Sequence, residues 1–385
     1  MRVCHVSPHL PPDQGANAIL PGQLGAWAGA DGDEIHYVSH EPTQGRASRE
    51  PLAGPVTMVP RRSRPGVLQR VLRLGSWQRV REIGAALDRT AASADLLHLH
   101  SNGLIVEAAA AWARRRGKPY VLTLYGTEIW HYRSRWPIDP FARAYRGASA
   151  VTFYSQRLRD RARTLGLDRS NLVVIYPPVP DTFRPQDAAT REAWRREAGI
   201  AEPFLVLNVK RLHPLAAQDV LIDAVARLNH GRGDVRLVIC GTGPLRQTLE
   251  ARARDAGIGD RVTFTGLLAN DDIARYAAMA DVFALPSQLE ALPTVAVEAL
   301  ACGTPVISTD HPGGEELHQI FGDDVLVVKR SDIDGLSKAL ADARARPQRV
   351  PEETLALVRE RFGPAAVWAA YRTVYERAIA AGPTP

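Results

Sequence analysis

FLVLNVKRLHPLAAQDVLIDAVARLNHGRGDVRLVIC, residues 204–240, is the stretch whose reading decides the fold. It opens on an apolar run, 204–209, and closes on another, 235–240, with a helical segment, 216–229, between them. Strand, helix, strand in that order predicts a crossover unit and a parallel sheet. Downstream the alternation continues through 261–265 (RVTFT), 281–285 (DVFAL), 305–309 (PVIST) and 325–328 (VLVV), with helices over 244–256, 271–279 and 294–302. Upstream the same pattern runs through 2–7, 34–39, 95–100, 119–124, 149–153 and 172–176. Its helices include 104–116, closed by Gly117. PPVPDTFRP, residues 177–185, holds four prolines in nine residues and is neither helix nor central strand. A polar helical segment then runs to Gly199, so 177–203 reads as a linker.

A chain of 385 residues exceeds one hydrophobic core. The expectation is therefore α/β, with two doubly wound, Rossmann-like domains over 1–185 and 203–362 and an amphipathic last helix at 364–381. Ligands of open parallel sheets sit beyond the carboxyl ends of the strands, which predicts an inter-domain cleft.

Composition narrows the function. Hydrophobic residues make up 45% and charged residues 23%, an ordinary globular balance that excludes disorder. No apolar stretch reaches the ~18 residues of a membrane span. The N-terminus lacks a signal-peptide core, so a soluble, cytoplasmic chain is expected. Cys4, Cys240 and Cys302 show no metal-ligand spacing and read as buried, reduced thiols. The net charge of +6 is carried by arginine, with only four lysines and no aromatic interleaving, which argues against nucleic acid. The densest cluster is Arg61, Arg62, Arg64, Arg70, Arg73, Arg79 and Arg81, interleaved with Val67, Leu68, Val71, Leu72 and Leu74. It reads as a solvated helix face, with contact to an anionic membrane as the alternative.

The richest motif is SQLEALPTVAVEALACGTPVIS, residues 287–308. Thr294 is a candidate N-cap for the helix that opens after Pro293. The N–H groups of Leu292, Thr294 and Val295 suit a diphosphate or sugar hydroxyls. Glu298 has the chemistry to accept hydrogen bonds from a ribose diol. Taken alone, Glu290 and Glu298 also read as surface acids favoured by the helix dipole.

The setting is more specific. E-x7-E, preceded by Pro286-Ser287 and followed by A-x-A-C-G-T-P-V, resembles the retaining glycosyltransferases of family four, which have the GT-B fold. The resemblance covers nearly the whole chain and is strongest over 204–328. It implies that Glu290 orients donor sugar hydroxyls and Glu298 holds the ribose. Gly241-x-Gly243 looks like the family's glycine turn, although alone it reads as a structural turn. The loop at Gly266, Leu267 and Leu268 is expected to back the nucleotide base, and Gly313-Gly314 before Glu315-Glu316 to lie near the donor. KRLHPLAAQDVLIDA, residues 210–224, matches a segment that usually reads G-R-L-x-x-x-K-G. Arg211 takes the arginine position against the diphosphate. The family lysine falls on Ala216 and its glycine on Ala217. Either Lys210 or a group of the first domain then substitutes, or leaving-group stabilisation is weaker.

In the family the first half binds the acceptor. PHLPPDQGAN, residues 8–17, keeps only Gly15 of the family's phosphate-proximal glycine pair, with Asp13, Gln14 and Asn17 beside it. DLLHLHSNG, residues 95–103, points His100 toward the cleft to hold a hydroxyl or share a proton, whereas His98 reads as core. TLYGTEIWHY, residues 123–132, matches a stretch that often reads T-x-H-G-T-D. Tyr125 takes the place of the histidine that contacts the donor sugar, Glu128 takes the acidic position, and His131 lies close by. Ser155 reads as a helix cap. Residues 361–378 resemble the C-terminal helix that crosses back onto the first domain.

The expected activity is transfer of a sugar, with retention, from a UDP-sugar or GDP-sugar donor to a hydroxyl of a small hydrophilic acceptor. Catalytic roles fall to Glu290, Tyr125 and His100. Donor contacts fall to Gly15, Arg211, Gly241, Gly243, Leu268, Leu292, Pro293, Thr294 and Glu298, and acceptor contacts to Asp13, Glu128 and His131. No DxD pair stands at a strand end, so no metal and no cofactor are expected. Asp13 and Glu128 suit a cationic amine, which favours an aminocyclitol of antibiotic biosynthesis. The alternatives are a membrane-lipid or polysaccharide acceptor, a catalytically idle nucleotide-sugar binding protein, and a sugar-nucleotide epimerase of the same two-domain shape.

Overall fold

The computed structural model describes residues 1–13, 15–42, 52–61, 74–134, 139–230 and 233–383. Gln14, most of the arginine cluster (Arg62, Arg64, Arg70 and Arg73 with Val67, Leu68, Val71 and Leu72) and the last two residues of the Pro/Thr tail lie outside them. Two compact units emerge, one of Met1–Ile175 with Trp368–Pro385, the other Tyr176–Val367.

The first unit is built on strands β1 (Arg2–Ser7), β2 (Glu34–His40), β3 (Val56–Val59), β4 (Leu96–His100), β5 (Tyr120–Leu124), β6 (Ala150–Phe153) and β7 (Leu172–Val174). Their order is β3-β2-β1-β4-β5-β6-β7, parallel at every pairing. β4, β5 and β6 are buried along their whole length, which is why their sequences are apolar runs rather than alternations. The sequence reading lacks β3. Its four residues sit between Pro55 and Pro60 and pair only with β2, so the strand exists through its neighbour.

The second unit holds β8 (Phe204–Val209), β9 (Val235–Cys240), β10 (Val262–Gly266), β11 (Val282–Leu285), β12 (Val306–Thr309) and β13 (Val325–Val328), in the order β10-β9-β8-β11-β12-β13. Both sheets run outward from their first strand to one side and then resume on the other. Each therefore has a switch point, between β1 and β4 and between β8 and β11, where diverging loops leave a crevice at the carboxyl ends.

The proline-rich stretch belongs to the second unit. Tyr176 stacks on Phe362, and the Val179 N–H donates to the Phe362 carbonyl at 2.8 Å. The helix Ala188–Glu197 is capped by Asp187 and tied down by Arg195, which reaches Asp281 at 2.6 Å. At the other end of the chain, the helix Pro364–Ala381 sends Tyr371 and Tyr375 into the core of the first unit. Trp368 Nε1 donates to Asp31 at 2.8 Å, and Arg372 pairs with the same carboxylate.

Candidate functional site

The switch point of the second sheet gathers most of the chemistry. The Lys210 N–H donates to the Cys240 carbonyl at 2.9 Å and the Leu212 N–H to the Thr242 carbonyl at 3.0 Å, so the exits of β8 and β9 run backbone against backbone. Such contact requires glycine. A Cβ on Gly241 would stand 2.1 Å from the Lys210 carbonyl oxygen, and one on Gly243 2.1 Å from that of Leu212. Gly241 also has a φ of 141°, which side-chain-bearing residues avoid. The Gly241-x-Gly243 pair thus packs the loop that carries Lys210 and Arg211.

Lys210 Nζ lies 2.5 Å from Glu290 Oε1. The Arg211 side chain is exposed and makes no ion pair among the described residues. Two backbone hydrogen bonds lock the surrounding loops together. The Gln288 N–H donates to the Leu215 carbonyl at 2.8 Å, and the Gly313 N–H to the Glu290 carbonyl at 3.1 Å. Gly313 also packs so close to Pro293 that a Cβ there would lie 2.9 Å from Pro293 Cδ.

Thr294 is the first residue of the helix Thr294–Ala301, not its cap. Pro293, at φ −80° and ψ 98°, ends the extended segment and takes the cap position itself. The N–H groups of Leu292, Thr294 and Val295 therefore have no side-chain cap, and none finds an acceptor among the described residues. Glu298, in the second turn, is half-buried, and burial alone pushes its carboxyl up to about 7. At neutrality such a group both donates and accepts, which suits a diol.

His311 is fully buried and caps the helix Pro312–Phe321 by accepting the Gly314 N–H at 2.9 Å. Burial first, then the nearby Lys210 and Arg330, lower its pKa to about 4. Gly266, at φ 79°, turns the chain so that Leu268 lines a hollow of about 420 Å³ with Trp194, Arg275 and Tyr276. Leu267 is left 68% exposed.

Ala217 explains the glycine of the resembling pattern, because it adopts φ 49° and ψ 39°, left-handed backbone that glycine takes without cost. Ala217→Gly is expected to stabilise the second unit by about 0.5–1 kcal/mol, the relief of left-handed strain less the entropy glycine loses on folding. A melting curve that fails to rise by ~1–3 °C would contradict that expectation.

In the first unit the sequence reading missed His5. His5, His98 and His100 are buried side by side, with one nitrogen of each within 4.8 Å of the others. His5 Nδ1 and His100 Nε2 share a hydrogen bond of 3.0 Å, and His100 Nδ1 meets the Tyr125 hydroxyl at 2.8 Å. His98 is held by the Tyr375 hydroxyl at 2.7 Å and by Thr123 Oγ1 at 2.6 Å. Both His98 nitrogens are thus engaged, and the trio is a hydrogen-bonded core network rather than a convergent ligand set. His100 does not reach solvent as expected, since both faces of β4 are covered. Besides His5 it meets Tyr125, whose phenol burial keeps protonated.

Two of the expected acceptor acids are already engaged. Asp13 accepts from the His9 ring at 2.7 Å and from Arg61 at 3.3 Å. Glu128 accepts from Ser101 Oγ at 2.5 Å, the Gly126 N–H at 2.8 Å and the Tyr125 N–H at 3.3 Å, closing the turn after β5. The carboxylates were legible in the sequence, but Arg61 and Ser101, which engage them, are brought in from other parts of the sheet. Glu128 and His131 do line a common cavity of about 490 Å³ with Asn102, Glu107 and Asp139. Gly15, at φ 114°, opens the helix Ala16–Ala30 with no side-chain cap.

Comparison with known proteins places these features. Residues 190–353 match the glycosyl transferases group 1 model and residues 23–183 the Glycosyltransferase Family 4 model. The 2-deoxystreptamine N-acetyl-D-glucosaminyltransferase of Streptomyces fradiae is 30% identical over 290 residues, covering 70% of this chain and 67% of that protein. A GDP-mannose-dependent alpha-(1-6)-phosphatidylinositol monomannoside mannosyltransferase of Mycolicibacterium smegmatis is 33% identical over 251 residues, 62% of this chain and 64% of its own length. The chain thus spans under two thirds of that relative. Among solved structures, Anabaena HepE in complex with UDP and glucose superimposes with a TM-score of 0.76 at 19% identity, covering 98% and 99% of the two chains. Sucrose-phosphate synthase from Thermosynechococcus elongatus does so at 0.74 and 20%, covering 99% of each. With two parallel Rossmann-like sheets, a model match on each half and a relative matched over two thirds of both lengths, the chain belongs to the group 1 and family-four glycosyltransferases of GT-B fold.

Proposed function

We propose that this protein transfers a sugar from a nucleoside diphosphate donor, a UDP-sugar in the first instance, to a hydroxyl of an aminocyclitol, with retention at the anomeric carbon. The observation that carries the donor half is the constellation at the β8/β11 switch point: Arg211 without a charged partner among the described residues, the Lys210–Glu290 pair, and the N–H groups of Leu292, Thr294 and Val295 without acceptors among the described residues. A diphosphate on these donors is stabilised most when charge develops on its leaving oxygen. Glu298 holds the ribose and Glu290 the sugar hydroxyls. The leaving phosphate oxygen takes the acceptor proton on the same face of an oxocarbenium-like state, so no protein carboxylate serves as a nucleophile and no metal is required.

The acceptor class rests on the 2-deoxystreptamine relative, matched over two thirds of its length, and on the acid-lined cavity of the first unit. A lipid-linked acceptor is the second reading. It is favoured by the phosphatidylinositol mannoside relatives and by Trp77, which stands 73% exposed at the end of the arginine-rich run 61–81.

Thermal shift against UDP, GDP and ADP, followed by mass detection of transfer to 2-deoxystreptamine or to phosphatidylinositol vesicles, tests both halves. Glu298→Ala is expected to weaken nucleotide binding about tenfold or more, the value of a hydrogen-bonded charge or diol contact. Unchanged affinity in that variant removes Glu298 from the ribose. Activity abolished by a chelator and restored by a divalent cation would refute metal independence.

A further inference from the structure

We propose that Lys210 is the second cation for the donor diphosphate, doing from the end of β8 what the lysine position occupied by Ala216 cannot. The inference deepens the donor reading above and rests on it. In the resembling pattern G-R-L-x-x-x-K-G, the chain has lysine where the first glycine stands and alanine where the lysine stands. The structure gives this exchange a geometry. Ala216 is buried in a single 3-10 turn, Pro214–Ala216, and has only a methyl group to offer. Lys210 lies beside Arg211, on backbone that the Gly241 and Gly243 contacts hold in place. Its ammonium ends 2.5 Å from Glu290, with both side chains partly open to solvent, 29% and 17%.

Charge accounting favours the same assignment. Arg330, after β13, is matched by Asp310 at 2.9 Å, and Lys329 beside it leaves the same edge strand, two strands beyond β11 and away from the switch point. His311 accepts the Gly314 N–H on Nδ1 and so stands there as a neutral ring. That leaves Lys210 and Arg211 to meet a diphosphate. An ammonium has three donors, of which Glu290 engages one, so phosphate oxygens can be bound while the carboxylate stays in place. The Lys210–Glu290 pair then links the two ends of the donor, with Lys210 on the phosphates and Glu290 on the sugar.

Calorimetric titration of Lys210→Met with UDP-glucose, UDP, UMP and uridine tests this. The expected result is a 10- to 100-fold loss for UDP, a smaller loss for UMP and none for uridine, with the same UDP loss in a Glu290→Gln background. The expected partner result is that Ala216→Lys, added to Lys210→Met, recovers part of the UDP affinity. Should that variant misfold, the UDP-against-uridine split decides alone. Equal affinity of wild type and Lys210→Met for UDP overturns the proposal. So does a loss confined to UDP-glucose, which would make Lys210 a positioning residue for Glu290. If the wild type binds none of UDP, GDP and ADP, the donor reading itself fails, a result distinct from a failure of Lys210 alone.

Discussion

Arg211→Ala is expected to lower kcat/KM for sugar transfer about 10²- to 10³-fold, the range seen when one preorganised donor is removed from a developing oxyanion. The side chain is exposed and makes no ion pair among the described residues, so its removal should leave the fold intact. The loss should fall on kcat more than on KM, since the guanidinium is worth most when charge grows on the leaving phosphate. Arg211→Lys should recover only part of the rate, because a point charge does not reproduce the planar fork. Steady-state kinetics beside an unchanged melting temperature would establish the role. Activity within threefold of wild type would make Arg211 a bystander.

Acidification from pH 7 to pH 5 is expected to unfold the first unit well before the second. His5, His98 and His100 are buried and neutral, and burial lowers all three, His5 to about 3. The unfolded chain therefore binds protons near the ordinary histidine pKa of ~6.5 while the folded chain does not. Stability is fully present above that pKa and is lost as pH falls toward the folded values. Linkage puts the loss at ~2 kcal/mol for His5 between pH 7 and 5, and His98 and His100 act in the same direction. His311 adds a similar loss in the second unit, where its pKa is about 4. There Glu298 opposes it. Its folded pKa, raised to about 7, means the folded chain gains a proton before the unfolded chain does, and stability rises as pH falls from 7 toward the ordinary carboxyl value. The two terms nearly cancel. Hydrogen exchange at pH 7 and 5, resolved by peptide, should show protection lost over β1, β4 and β5 and largely kept over β8 and β11. Equal loss in both units would overturn this account.

The features that were legible in the sequence are those set by local chemistry. Twelve of the strands were visible as apolar runs because a parallel sheet covered on both faces leaves no polar alternation. β3 was not, since four residues between prolines carry no pattern of their own and gain a partner only through β2. Thr294 looked like a cap because threonine usually is one, but Pro293 reached the cap position first. Leu267 and Leu268 are interchangeable on paper, and only the turn at Gly266 determines which is exposed.

By itself, then, the sequence determined the two parallel, doubly wound sheets, the presence of Arg211 and Glu290 in loops at strand ends, and that of Glu298 on the helix that follows. Those properties follow from backbone preference and hydrophobic period, which act over a few residues. Only the tertiary structure decided which charges meet. It closed Asp13 onto His9 and Arg61, and Glu128 onto Ser101. It buried His100 against His5, and it brought Lys210 to Glu290 across 80 residues of chain. Electrostatic pairing depends on distance in space, and a parallel sheet places as neighbours residues that the sequence holds far apart.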